Sequence, residues 1–387
     1  MLYDFDELLE RQATECVKWH KFAEDVLPMW VADMDFTSPE PVIQALRERV
    51  DHGVFGYPQE SPELRAVIIE RLSELYGWEV APEEIILLPG VIEGFNLACQ
   101  AQASGGGGVL QQPPIYPPFL RAPGNAGMEL QEAELVRDEQ GVYGIDWEVF
   151  EQAVDERTRV FMLCNPHNPV GRVYRREELE RMAEICLSRG VVICSDEIHC
   201  DLVYSEYTHI PMATLDPEVA QNTITLMAPS KTFNLPGLQA SFAVIQNADL
   251  RERFDKERRD LVPWVNVMGL VAMQAAYQDG QDWYEQLMVY LEGNRDYVYR
   301  YVQEELPGIS MAKPEGTYLA WLDCRETGIP KNPCEFFIEK GRVGLNDGKT
   351  FGSGGEGFVR LNFGCPREVL SEGLARIRQA LESLEGD

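Results

Sequence analysis

The sequence predicts an α/β protein with a large domain, whose mostly parallel sheet is sandwiched by helices, plus a smaller α+β domain. Three observations lead there. Short apolar runs alternate with helix-patterned segments through the middle of the chain. Past about residue 278 long, charged helical segments replace that alternation. At 387 residues the chain also exceeds what one small core organises.

The runs that read as strands are residues 85–88, 109–112, 160–164, 191–195, 223–228 and 241–245. Between two of them, "REELERMAEICLSRG" sets Leu179, Met182, Ala183 and Cys186 at helical spacing, with Gly190 as a stop. Strands alternating with helices imply βαβ units, and a parallel sheet needs helices on both faces. Further on, "DWYEQLMVYLEGNRDYVYRYVQEEL" reads as long helix, "GTYLAWLD" and "GFVRLNFG" as strands, and "REVLSEGLARIRQALESL" as a closing helix. The expected division is 46–277 for the large domain, with 1–45 and 278–387 forming the N-terminal segment and small domain.

Composition narrows the function classes. With 45% hydrophobic and 25% charged residues the chain reads as ordinary soluble globular protein. Its net charge of −30 repels phosphate backbones and anionic lipid, so neither nucleic acid nor membrane is expected as a partner. No apolar run is long enough to span a bilayer, and Asp4, Asp6 and Glu7 near the start argue against a signal peptide. Nine cysteines, an odd number without a CxxC pair, point to a reducing cytoplasm. Cys194, Asp196, Glu197, His199 and Cys200 crowd together, but strand alternation sends neighbours to opposite faces, so no metal site is expected. "SGGGG" at 104–108 and "FGSGGEGF" at 351–358 lack the strand–GxGxxG–helix context and read as loops.

Ligands of open parallel sheets bind outside the carboxyl ends of the strands. At those ends the sequence places "PGVIEGFNLA", a turn into a helix; "PPIYPPF", presenting Tyr116; "NPHNPVG"; Asp196 and Glu197; and Ser230 with Lys231. Singly, each has a plain reading: a half-buried aromatic, turn chemistry, a helix cap, a solvated lysine. Together they set an aromatic ring, an amide, a carboxylate and an amine on one rim. That set suits pyridoxal 5′-phosphate, which needs a stacking face, a partner for its phenolic oxygen, a pyridinium partner and an amine.

In these motifs the chain resembles a fold-type I pyridoxal-phosphate enzyme of the class I/II aminotransferase superfamily. More narrowly it is similar to the cystathionine β-lyase (C–S lyase) branch. "MWVADMDFTSPEPV", "GVFGYPQ", "PPIYPPF", "CNPHNPVGRV", "SDEIHCDLVY", "APSKTFNLPGLQ" and "GEGFVRLNFGCPR" match in order, and "ECVKWHKF" resembles the branch's opening segment. The resemblance covers essentially the whole chain.

It implies a role for each matching residue. Lys231 matches the Schiff-base lysine and Asp196 the partner of the pyridine nitrogen. Asn168 matches the donor to the phenolic oxygen and Tyr116 the stacking aromatic. Gly90, Val91 and Ile92 are implied to hold the phosphate through backbone N–H groups, with Ser230 adding a hydroxyl. Tyr57 matches a tyrosine contributed by the neighbouring subunit, which implies a homodimer with shared sites. Arg360 matches the clamp on the substrate α-carboxylate. His199 stands where many aminotransferases have a tyrosine, and is assigned no catalytic role. Gln239 and Ala228 stand where many relatives carry arginine and Ser or Thr, so the implied phosphate cup leans on backbone amides, Ser230 and Tyr57. The expected reaction is β-elimination from cystathionine or another cysteine S-conjugate. Transamination by the same lysine is the alternative, and a cofactor-fold binding protein without turnover is a third reading.

Overall fold

The computed structural model describes residues 3–384. Its central sheet has seven strands: β1 (Ile85–Leu88), β2 (Gly108–Gln111), β3 (Glu129–Glu132), β4 (Thr158–Cys164), β5 (Val192–Asp196), β6 (Thr223–Met227) and β7 (Ser241–Val244). The spatial order is β1-β7-β6-β5-β4-β2-β3. Only β7 runs antiparallel to its neighbours.

Strand alternation divides the sheet's side chains between its two faces. On one face Val109, Val160, Met162, Cys194, Ile224 and Leu226 meet α1 (Val91–Gln102) through Phe95 and Ala98, and α2 (Pro117–Asn125) through Phe119. On the other, Leu110, Phe161, Leu163 and Ile193 meet α3 (Arg176–Ser188) through the four residues whose spacing predicted a helix. A parallel sheet buried on both faces follows from strands that are apolar at consecutive positions.

Several expected bounds shift. The run expected at 191–195 is the strand Val192–Asp196, so Asp196 ends the strand rather than following it. Residues 109–112 become Gly108–Gln111, and Gly108 leaves the expected 104–108 loop to open that strand. The 223–228 and 241–245 runs each end one residue earlier. Strand β3, "ELQE", was not expected at all. It lies at the sheet's edge with three of four residues exposed, so it carries no apolar alternation to read.

The C-terminal part is built on α4 (Gln281–Glu305), one 25-residue helix that buries Trp283, Leu287, Leu291, Val298 and Val302 along one stripe. A three-stranded antiparallel sheet follows, from β8 (Leu319–Asp323), β9 (Asn346–Asp347) and β10 (Phe358–Asn362), with β10 in the middle. Helix α5 (Arg367–Glu382) closes it. The N-terminal residues join this part: Leu27 and Pro28 pair with Val343 and Gly344, and Phe5, Met29, Met34 and Phe36 share a core with Leu287, Leu291 and Leu361.

Candidate active site

A cavity of about 420 Å³ opens at the carboxyl ends of the central strands. It is roofed by residues 30–32 and by Asn346, Phe351 and Arg360 of the C-terminal part. Of the residues singled out in the sequence, Lys231, Asp196, Asn168, Tyr116, Gly90, Val91, Ile92, Ser230 and Arg360 all line it. Tyr57 does not. It is 93% exposed, edge-on to the exposed Trp264. Trp30 lines the cavity, whereas Tyr3, Trp19 and Trp264 do not.

Asp196 reaches the cavity because the last residue of β5 sits between Cys164 of β4 and Leu226 of β6. Its carboxylate is buried and accepts from the Ile198 N–H at 3.1 Å. Burial pushes its pKa up to about 7; the Ile198 hydrogen bond and Lys231 pull against that, and Glu197 adds to it. Glu197 itself turns away, accepting from His209, Ser195 Oγ and the Met212 N–H, so the crowded acidic and thiol stretch is split between two sides. Among the described residues no three His, Cys, Asp or Glu side chains are grouped to hold a metal.

The Lys231 amine donates to the carbonyl of Ala32 at 2.6 Å. Burial lowers its pKa to about 8, opposed by Asp33 and Asp196 and reinforced by Arg360. Tyr318 donates to the same Ala32 carbonyl. Arg360, on the middle strand β10, is buried; it donates to Asn168 Oδ1 (2.9 Å), the Trp30 carbonyl (2.9 Å) and Asn346 Oδ1 (2.7 Å), while its Nε has no partner. No carboxylate pairs with it among the described residues, and burial brings its pKa down to about 10. A desolvated guanidinium without a counter-ion is a receptor for a carboxylate. His199 is buried edge-on to Tyr318 with Nδ1 unpartnered. Burial first, then Lys231 and Arg360, lowers its pKa to about 3, so the ring is neutral.

The residues that sequence reasoning missed here are Ala32, Asn346, Asp33 and Tyr318. Two of them act through a backbone carbonyl or at a distance, and such roles leave no mark on residue type. The quoted "WVADMDF" contained Ala32 and Asp33, but nothing in it predicted contact with Lys231.

The arrangement fits pyridoxal 5′-phosphate. Asp196 is a buried carboxylate with no cation in hydrogen-bond contact among the described residues, as a pyridinium partner requires. Asn168 spends its oxygen on Arg360 and keeps its NH₂ for an oxygen acceptor. Helix α1 begins at Gly90 without a side-chain cap, leaving first-turn N–H groups for an anion.

Comparison with known proteins agrees. Residues 24–377 match the family model described as aminotransferase class I and II. The chain is 40% identical over 386 residues to cystathionine beta-lyase PatB of Bacillus subtilis, covering 98% of this chain and all of that one. Cystalysin from Treponema denticola, whose crystal structure contains pyridoxal 5′-phosphate, superposes with a TM-score of 0.95 at 32% identity, covering 99% and 100% of the two chains. The aspartate aminotransferase of Pyrococcus horikoshii is 26% identical, covering 93% and 91%. The chain therefore belongs to the aminotransferase class I and II family, and its cofactor is pyridoxal 5′-phosphate.

Proposed function

We propose that the protein is a C–S β-lyase that converts a cysteine S-conjugate and water into a thiol, pyruvate and ammonia. The observation that carries this reading is the cavity itself, where Lys231, Asp196, Asn168 and Arg360 converge beneath the 30–32 segment. The 40% identity to a cystathionine beta-lyase over nearly the whole chain supports the lyase over the transaminase.

When bound, pyridoxal 5′-phosphate supplies an electron sink for charge developing at the substrate α-carbon. Asp196 would hold the positive charge of the pyridine nitrogen, and Asn168 would donate to the phenolic oxygen. Arg360 grips the α-carboxylate, which fixes the Cα–H bond relative to Lys231. With a pKa near 8, Lys231 is neutral often enough at pH 7–8 to take the α-proton, and it then carries that proton as an ammonium. The C–S bond breaks with its electron pair on sulfur, the thiolate takes up a proton to leave as the thiol, and water hydrolyses the remaining enamine to pyruvate and ammonia. Phe351, Tyr116 and Trp30 give the cavity wall an apolar surface suited to a thioether.

A transaminase would use the same lysine, so the test separates outcomes rather than residues. Cystathionine and S-alkyl cysteines are incubated with the holoenzyme and no keto acid. Equal amounts of pyruvate and free thiol are expected, and Lys231→Ala is expected to lower turnover by about 10³-fold or more. A strict need for a keto acid would replace the lyase with the transaminase.

We also propose a homodimer that brings Tyr57 to the partner's cavity. Val54, Phe55, Tyr57, Leu261 and Trp264 are each more than half exposed and apolar, which a second copy of this surface would cover.

A further inference from the structure

Glu93 is the one acidic residue in the first turn of α1, the helix whose N-terminus forms the phosphate cup. Its side chain folds back over the cup. A methyl group on Gly90 would stand only 2.5 Å from Glu93 Oε2, so the carboxylate lies against the Gly90 backbone. Glu93 lines the same cavity as Ser230, Gln239 and the Gly90–Ile92 backbone. This is where an anion gains from the helix dipole and from amides with no intrahelical acceptor.

Around Glu93 the cup's other side chains at 228, 230 and 239 carry no positive charge. Ala228 and Gln239 are neutral, and the cations among the lining residues are Lys231 and Arg360. Lys231 is held on the Ala32 carbonyl, and Arg360 is tied to Asn168, Trp30 and Asn346. A dianionic phosphate entering the cup meets a carboxylate instead of a counter-ion.

We propose that the Glu93 carboxylate is an internal anion of the phosphate cup, which the cofactor's phosphate must displace, so that Glu93 sets how weakly the cofactor is held. The proposal rests on the cofactor-binding part of the reading above and is independent of which reaction follows. The carboxylate has to leave the helix N-terminus for solvent, and what repulsion remains acts on the phosphate alone. Its effect is therefore confined to ligands that carry the phosphate.

The test compares pyridoxal 5′-phosphate with pyridoxal, which lacks the phosphate. Both are titrated by absorbance into protein stripped of cofactor, for the wild type, Glu93→Gln and Glu93→Ala. In both variants the Kd for pyridoxal 5′-phosphate is expected to fall about three- to ten-fold, with pyridoxal unchanged within about twofold. Inorganic phosphate should also compete with pyridoxal 5′-phosphate more strongly in the variants. Ser230→Ala serves as the control and should weaken the phosphorylated ligand only. Unchanged affinity in both Glu93 variants overturns the proposal, as does an equal gain for pyridoxal. If Ser230→Ala weakens both ligands alike, the cup is misplaced and the proposal falls with it. Loss of lyase turnover with binding intact would count against the reaction, not against Glu93.

Discussion

Asp196 is buried for chemistry at the expense of stability. Its pKa in the folded protein lies at about 7, against 3.8 for the unfolded chain. Between those values the folded state keeps a proton that the unfolded chain has released, so stability falls as pH rises through the window. Above about pH 7 the whole cost is present. Asp196→Asn is thus expected to raise the stability of the cofactor-free protein by about 2 kcal/mol at pH 8, and much less at pH 4, in urea unfolding. On the proposed function the same variant should lose turnover, because an amide would not hold the pyridine nitrogen's charge. Lys231 behaves oppositely. With its pKa lowered from 10.5 to about 8, the unfolded chain binds the extra proton between those values, so stability rises across pH 8–10.5. Lys231→Met should flatten that rise. Both carboxylate and amine were legible in the sequence as residue types at strand ends; their shifted pKa values were not, since burial comes from packing.

At the scale of elements, the cup depends on how closely α1 approaches the sheet. A methyl group on Gly94 would lie 2.7 Å from Leu226 Cδ2 and 3.2 Å from Leu88 Cδ1, and both leucines are fully buried. Gly94 is therefore what lets the helix sit on β6 and β1, beside the strand that leads to Lys231. Gly94→Ala is expected to cost about 1–2 kcal/mol net, as overpacking outweighs the gain in helix propensity. It should also weaken cofactor binding by tilting the helix start. Thermal unfolding and cofactor titration check this, and adding Leu226→Ala should restore cofactor affinity by making room. The helices and buried strands were readable because their periodicity is strong. The edge strand Glu129–Glu132 and the exact end of β5 at Asp196 were not, because edge pairing and register are decided by neighbours.

In the whole molecule, the 30–32 segment reaches the cavity because residues upstream and downstream of it are clamped. Lys18, 1% exposed, pairs with Asp35 at 2.6 Å and lies 3.5 Å from Asp33, while Arg11 bonds both carboxylates. Two cations and two anions thus neutralise one another where water is scarce. Lys18→Met would leave Arg11 to serve both carboxylates, at a cost of about 3 kcal/mol. It should also raise KM more than it lowers kcat, because the roof of the cavity loosens; urea unfolding and steady-state kinetics check the two parts. We propose the division of residues 1–45 and 278–387 from residues 46–277 on the Leu27–Val343 pairing; the core of the smaller part also takes in Leu202, Phe233 and Ala276 of the larger one, which ties the two together. The proposed dimer is checked by light scattering. A dimeric mass is expected, with Trp264→Asp shifting it towards monomer and lowering cofactor affinity in step.

What the sequence determined by itself is the architecture and the list of chemical groups. Apolar runs alternating with helical patterns specify a parallel sheet, and the sheet's carboxyl ends specify where Tyr116, Asn168, Asp196 and Lys231 collect. The tertiary structure decided what those groups touch. Lys231 meets Ala32 across 199 residues and Arg360 meets Asn168 across 192. Contacts of that span arise only once the C-terminal sheet and the N-terminal segment close over the central strands. No local pattern encodes them, because the backbone carbonyl that receives the lysine is chemically the same at every position in the chain.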